Sequence, residues 1–160
     1  MRFELVDRIL SVVPGKSLRA TKALTLAEEY LQDHFPTRPV MPGVIMVESM
    51  VQACAWMVRI ETHFVPTVVM LKEARAVRYG QFVKPGDQMV VDVELTKMEN
   101  GRAHFKGQAS VGEQVVVSGK LELEFFTLAE RNPRDADIDA TLRAEIHRRW
   151  EIVKPSTTPA

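Results

Sequence analysis

The sequence predicts a mixed α+β domain in which one long buried helix is wrapped by a curved antiparallel sheet. Three observations predict it. Residues 44–60 carry almost nothing charged except Glu48, too apolar for a helix with a wet face. Residues 88–125 alternate apolar and polar side chains in three segments. Two short turn signals, Asn100-Gly101 and Gly112-Glu113, separate those segments. A sheet with one apolar face and a helix apolar nearly all round bury each other.

Size and composition allow this. The chain has 160 residues, 46% hydrophobic and 26% charged, an ordinary globular balance that excludes wholesale disorder. One domain with a sizeable core is the default at this length. Lys and Arg total 21 and so do Asp and Glu, so there is no basic surplus for a general polyanion binder, and no nucleic-acid partner is expected. Cys54 is the single cysteine, which forbids an intrachain disulfide and fits a reducing compartment. Charges break every apolar run in MRFELVDRIL, which does not read as a signal peptide. Pro42, Gly43, Glu48 and Gln52 interrupt the longest apolar stretch, and its pieces fall short of the ~20 residues of a membrane span. A soluble, cytoplasmic protein is the expectation.

Each element follows in order. Val13-Pro14-Gly15-Lys16 is a turn signal after a mixed start. Leu18, Ala20, Leu24 and Leu26 share one side of an alternating strand, with Lys22 as the exception. Residues 33–43, DHFPTRPVMPG, hold three prolines and cannot be helical. The helix runs from Val44 to Ile60, with Gln52 one turn beyond Glu48 on the same face. Residues 67–79 are a less regular strand. Lys84-Pro85-Gly86-Asp87 puts Pro and Gly where a type II turn wants them. Three strands of an antiparallel meander complete the body, to residue 127. Beyond it, acids at 135, 137 and 139 and bases at 148 and 149 match a helix macrodipole. The narrow stripe of Ile138, Leu142, Ile146 and Trp150 predicts a short helix docking weakly on the body. Residues 154–160 are expected to be a disordered tail. The organisation expected is thus a body at 1–127 and an extension at 128–160.

The chemistry begins with absences. The chain has no GxGxxG, no GxxxxGK[ST] and no GxSxG, and its four histidines lack helical i, i+4 partners. Neither a nucleotide cofactor nor a metal is expected. Cys54 reads as a small buried hydrophobe rather than a nucleophile. His104 and His147 fall on polar faces and read as solvated; His63 follows the helix, where a cation is mildly favoured.

Three other residues stand apart. His34 sits in the proline-stiffened loop ahead of the helix, and an imidazole titrating near pH 6.5 can serve as a base. Glu48, inside an apolar helix, must be protonated, hydrogen-bonded, or both. The two make an acid and base pair, or else a buried Glu with a structural partner and an unrelated loop histidine. The backbone N–H of Gly43 has no acceptor within the helix and suits a carbonyl oxygen that becomes an oxyanion, unless Gly43 only makes the turn.

Residues 28–52, EEYLQDHFPTRPVMPGVIMVESMVQ, resemble the signature of the FabZ-type 3-hydroxyacyl-acyl carrier protein dehydratases: H-F-P, P-V-M-P-G-V, then E-x-x-x-Q on a helix. Phe82 to Asp87, FVKPGD, resembles that family's second motif, and the similarity runs roughly from residue 5 to 127. The resemblance implies a hotdog fold and a homodimer with a continuous sheet, often assembled further as a trimer of dimers (a hexamer). It implies a site shared between subunits, with His34 removing the proton alpha to the thioester carbonyl. Glu48 would handle the departing hydroxyl, and Gly43 would polarise the carbonyl. Gln52, Phe35, Val44 and Phe82 would contact the substrate. No cofactor is implied, since water is the only other product. Acyl carrier protein would be the partner, an acidic protein, with Lys72, Arg75, Arg78 and Lys84 forming its docking face or simply a solvated edge. Glu rather than Asp at position 48 implies dehydration without double-bond isomerisation.

Asp33 and Thr37 depart from the family's G-H-F-P-G, so the loop is expected to take a different course. Two other readings accompany this one, a hotdog acyl thioesterase and a non-catalytic acyl-thioester-binding protein.

Overall fold

The computed structural model describes residues 3–32, 34 and 37–156. Six strands form one antiparallel sheet in the order β1-β2-β4-β5-β6-β3. They are β1 Arg8–Val13, β2 Ser17–Ala23, β3 Val68–Tyr79, β4 Gln88–Glu99, β5 Arg102–Val111 and β6 Gln114–Phe126. The helix α1, Gly43–Glu61, packs against β2 through β6. A short helix α2, Leu128–Arg131, and a long one, α3, Ala136–Val153, complete the chain.

The meander follows its turn chemistry. Asn100 and Gly101 both have positive φ, 51° and 72°, as the two-residue hairpin between β4 and β5 requires. Inward-facing Met89, Val91 and Val93 of β4 are buried, as are Ala103, Phe105 and Ala109 of β5 and Val117, Leu121 and Leu123 of β6. Gly107, paired with Val93 and Gly119, leaves room for Met50 of α1; a Cβ there would lie 3.1 Å from the Met50 sulfur. The sheet-facing stripe of α1, Met46, Met50, Ala53, Cys54 and Met57, is almost wholly buried. By length and composition α1 would span a bilayer, but most of it is packed inside the fold.

Several expectations need correction. The mixed start contains a real strand, β1, whose irregular register against β2 hides its alternation. Leu24 is buried, but Leu26 lies past the end of β2 and is 75% exposed. Lys22 is buried among the apolar residues of β2, its ammonium donating to Glu28 (2.7 Å) and Asp7 (3.5 Å). The C-terminal helix is neither short nor weakly docked. α3 spans 18 residues, and Trp150 packs on Trp56 of α1 and on Phe64 with ring centroids 5.8 and 5.6 Å away. Val153 is fully buried. His147 is not simply solvated, because its ring lies 4.8 Å from that of Phe64. Of the expected tail, residues 157–160 lie outside the described ones, while Lys154 caps α3 with its N–H on the Trp150 carbonyl.

Candidate active site

The two motifs meet at the N-terminus of α1. The Met41 N–H donates to the Val83 carbonyl (2.9 Å), tying the segment before the helix to FVKPGD. That second segment is held by its own turn, with Asp87 N–H on the Lys84 carbonyl (3.0 Å), Lys84 N–H on the Asp87 carboxylate (2.8 Å) and Gly86 at φ 97°. Pro42 precedes the helix, and its carbonyl accepts from Ile45 and Met46, which leaves the Gly43 N–H among the free donors of the first turn. Gly43 also has a packing reason. A Cβ there would sit 2.7 Å from the ring of Tyr79, at the end of β3.

Glu48 lies on the side of α1 opposite Met50 and is half-buried. Its carboxylate accepts from the Gln52 side-chain amide at 3.0 Å. The same amide nitrogen donates to the Phe3 carbonyl (3.0 Å), and its oxygen accepts the Leu5 N–H (2.9 Å). Gln52 thus has a fixed orientation, with an N–H turned towards Glu48. Arg149 of α3 holds the same N-terminal segment, pairing with Glu4 (2.8 Å) and donating to the Val6 carbonyl (3.3 Å). A cleft of about 280 Å³ is lined by Glu48, Val51, Gln52, Trp56 and Arg59 of α1, by Val69 of β3 and by the Glu4–Arg149 pair.

His34 is half-buried, and its Nδ1–H donates to the Val40 carbonyl at 3.2 Å. That bond leaves Nε2 as the basic nitrogen of the neutral ring. His34 is not among the residues lining the Glu48 cleft. Phe35 and Asp33 lie outside the described residues. Val44 and Phe82 are 70% and 67% exposed and do not line the cleft either. Lys72, Arg75, Arg78 and Lys84 are all exposed. Lys72 reaches Glu124 (3.9 Å) and Arg75 pairs with Glu73 (2.5 Å). Cys54 is fully buried, and burial pushes its thiol well up, as suits an inert side chain. Sequence reasoning missed Tyr79, Trp56, Arg59 and Arg149. Arg59 had a legible signal, a cation eleven residues after Glu48 on the same helix stripe.

Comparison with known proteins decides the family. A model of the FabA-like domain matches residues 1–120. The FabZ 3-hydroxyacyl-[acyl-carrier-protein] dehydratase of Albidiferax ferrireducens is 41% identical over 122 residues, 74% of this chain and 81% of the relative. The chain belongs to the FabA-like family, on its FabZ branch. The FabZ of Variovorax paradoxus is 40% identical over the same shares of the two chains. Among solved structures, the dehydratase heterocomplex ApeI:P from Xenorhabdus doucetiae aligns with a TM-score of 0.68 at 20% identity, covering 80% of this chain and 86% of that one. The fluoroacetyl-CoA thioesterase FlK aligns with a TM-score of 0.61 at 19% identity, covering 79% and 97%. Both are likenesses of fold, and the sheet wrapped on α1 is the hotdog fold that the motifs implied. The family match ends at residue 120, so α2 and α3 lie outside it.

Proposed function

We propose that the protein is a soluble, cytoplasmic hydro-lyase that reversibly dehydrates 3-hydroxyacyl-acyl carrier protein to the trans-2-enoyl thioester in fatty acid or related lipid synthesis. The activity resides in residues 1–127, with 128–160 an extension of that body. The observation that carries the reading is the Glu48–Gln52 pair, a carboxyl group held by an oriented amide on the helix that starts at Gly43. In the reaction His34 Nε2 takes the proton on the carbon alpha to the thioester, whose electron pair becomes the new C=C bond. The C–O bond at the beta carbon breaks, and Glu48 supplies the proton that lets the hydroxyl leave as water. The Gly43 N–H stabilises charge building on the thioester oxygen. Val44 and Phe82 contact the substrate outside the Glu48 cleft, and Phe35 takes the same role by its place in the motif.

The working unit is a homodimer. In support, β3 ends the sheet on a twelve-residue edge paired only with β6 among the described residues, a natural template for a second copy. A site shared across that edge joins His34 of one protomer to Glu48 of the other. The carrier protein docks on the basic face, chiefly at Arg78 and Lys84, which have no ion-pair partner among the described residues, flanking exposed Tyr79 and Phe82.

The test is turnover of a carrier-linked 3-hydroxyacyl thioester with the product weighed by mass spectrometry. Loss of one water is expected. Released free thiol would favour the thioesterase reading, and tight binding without turnover a non-catalytic one. His34→Ala and Glu48→Gln should each lower kcat by roughly a hundredfold or more. Mixing the two inactive variants should restore part of the activity. Near wild-type activity in either variant overturns the role assigned to that residue.

A further inference from the structure

The Glu48 cleft ends in a charge that the dehydration does not use. Glu48, Gln52, Trp56 and Arg59 follow one another along a single face of α1. Eleven residues of helix put Arg59 roughly 16 Å beyond Glu48 along the axis, and its side chain leans back towards the cleft. The walls between them are Val51, Trp56 and Val69. The Arg59 guanidinium lies over the Trp56 ring, 5.2 Å from its centroid. Its Nε is buried without a hydrogen-bond partner, and no carboxylate among the described residues pairs with it. Burial alone draws its pKa down to about 10. Arg149, the other cation of the cleft, is already neutralised by Glu4. One half-buried guanidinium, its Nε without a partner, therefore stands beyond the apolar stretch of Val51, Trp56 and Val69 that separates it from Glu48.

We propose that Arg59 recognises an anionic acyl terminus, so that the preferred substrates are 3-hydroxyacyl thioesters whose far end bears a carboxylate. This rests on the dehydratase reading above. A guanidinium is planar, always charged and suited to a two-oxygen acceptor, which a carboxylate supplies. The apolar walls take the methylenes between. A plain alkyl end would strip water from Arg59 and return no hydrogen bond. A very short diacid would not span the roughly 16 Å of helix between Glu48 and Arg59. The cleft thus selects chains of intermediate length with a charged end.

The experiment compares two carrier-linked 3-hydroxyacyl thioesters of equal length, one ending in methyl and one in carboxylate, on the full-length protein. The wild type should favour the carboxylate in kcat/KM by on the order of ten- to a hundredfold. Arg59→Met should erase the preference, chiefly through KM, and Arg59→Lys should retain part of it. A wild type that prefers the methyl end, or treats both alike, overturns the proposal without recourse to any variant. An Arg59→Met protein that keeps the preference, or that changes only its oligomeric state, does so too and would make Arg59 a partner of the second copy. Binding of the two thioesters, measured by calorimetry, carries the same comparison if neither is dehydrated. In that case the dehydratase reading fails while the pocket is still judged by its affinity ratio.

Discussion

Gly43 serves two purposes at one position. It opens α1 and leaves an unpaired N–H, and its missing side chain admits the Tyr79 ring. Gly43→Ala keeps the N–H but forces the ring or the helix start to move. Overpacking of this kind costs about 1–3 kcal/mol, read as a lower Tm. Adding Tyr79→Ala should recover part of that loss and part of kcat, because the clash is then gone. A double variant no better than the sum of the two singles would mean that the residues are not coupled. Lys22 is the other lesson at this scale. It broke the alternation of β2 because its stem packs inward while its ammonium reaches Glu28 and Asp7. Periodicity registers such a residue as an exception, and only the neighbours explain it.

Among the elements, α3 departs furthest from expectation. Its acids in the first turn and its apolar stripe were visible, but the surface that receives them was not. Asp139 anchors the helix from the inside. It is 4% exposed and accepts from the Leu128 and Ala129 backbone (2.9 and 2.8 Å) and from the Thr67 hydroxyl. Burial alone would raise its carboxyl; the Thr67, Ala129 and Leu128 hydrogen bonds and the Arg143 charge outweigh it and hold the group below the usual carboxylate range. A depressed folded value means that the charged form contributes stability above the unfolded value, about pH 4, and loses it as pH falls through the folded one. The gap in Tm between wild type and Asp139→Asn should be widest near neutral pH and close below about pH 4. A gap that stays constant with pH would remove the ionised carboxylate from the account.

For the whole molecule, the proposed docking on the exposed basic face makes a prediction about protein-bound substrate. Charge reversal at Arg78 and Lys84 should raise KM several-fold for the carrier-linked substrate and leave a short pantetheine thioester unaffected. Equal effects on both substrates would mean that these residues serve the fold or the acyl site instead.

The apolar helix, the meander, its Asn-Gly turn and the motif residues His34, Gly43, Glu48 and Gln52 were determined by the sequence itself. Their signals are local: a period, a turn dipeptide, a carboxylate where only apolar residues belong. Tertiary structure alone decided that Gln52 is locked by residues 3–5, that Tyr79 covers Gly43, that α3 closes over Trp56, and that the Arg59 Nε is buried without an acceptor. Each of these joins parts of the chain far apart in sequence. Whether a polar group is satisfied depends on which distant atoms reach it, and no local pattern carries that.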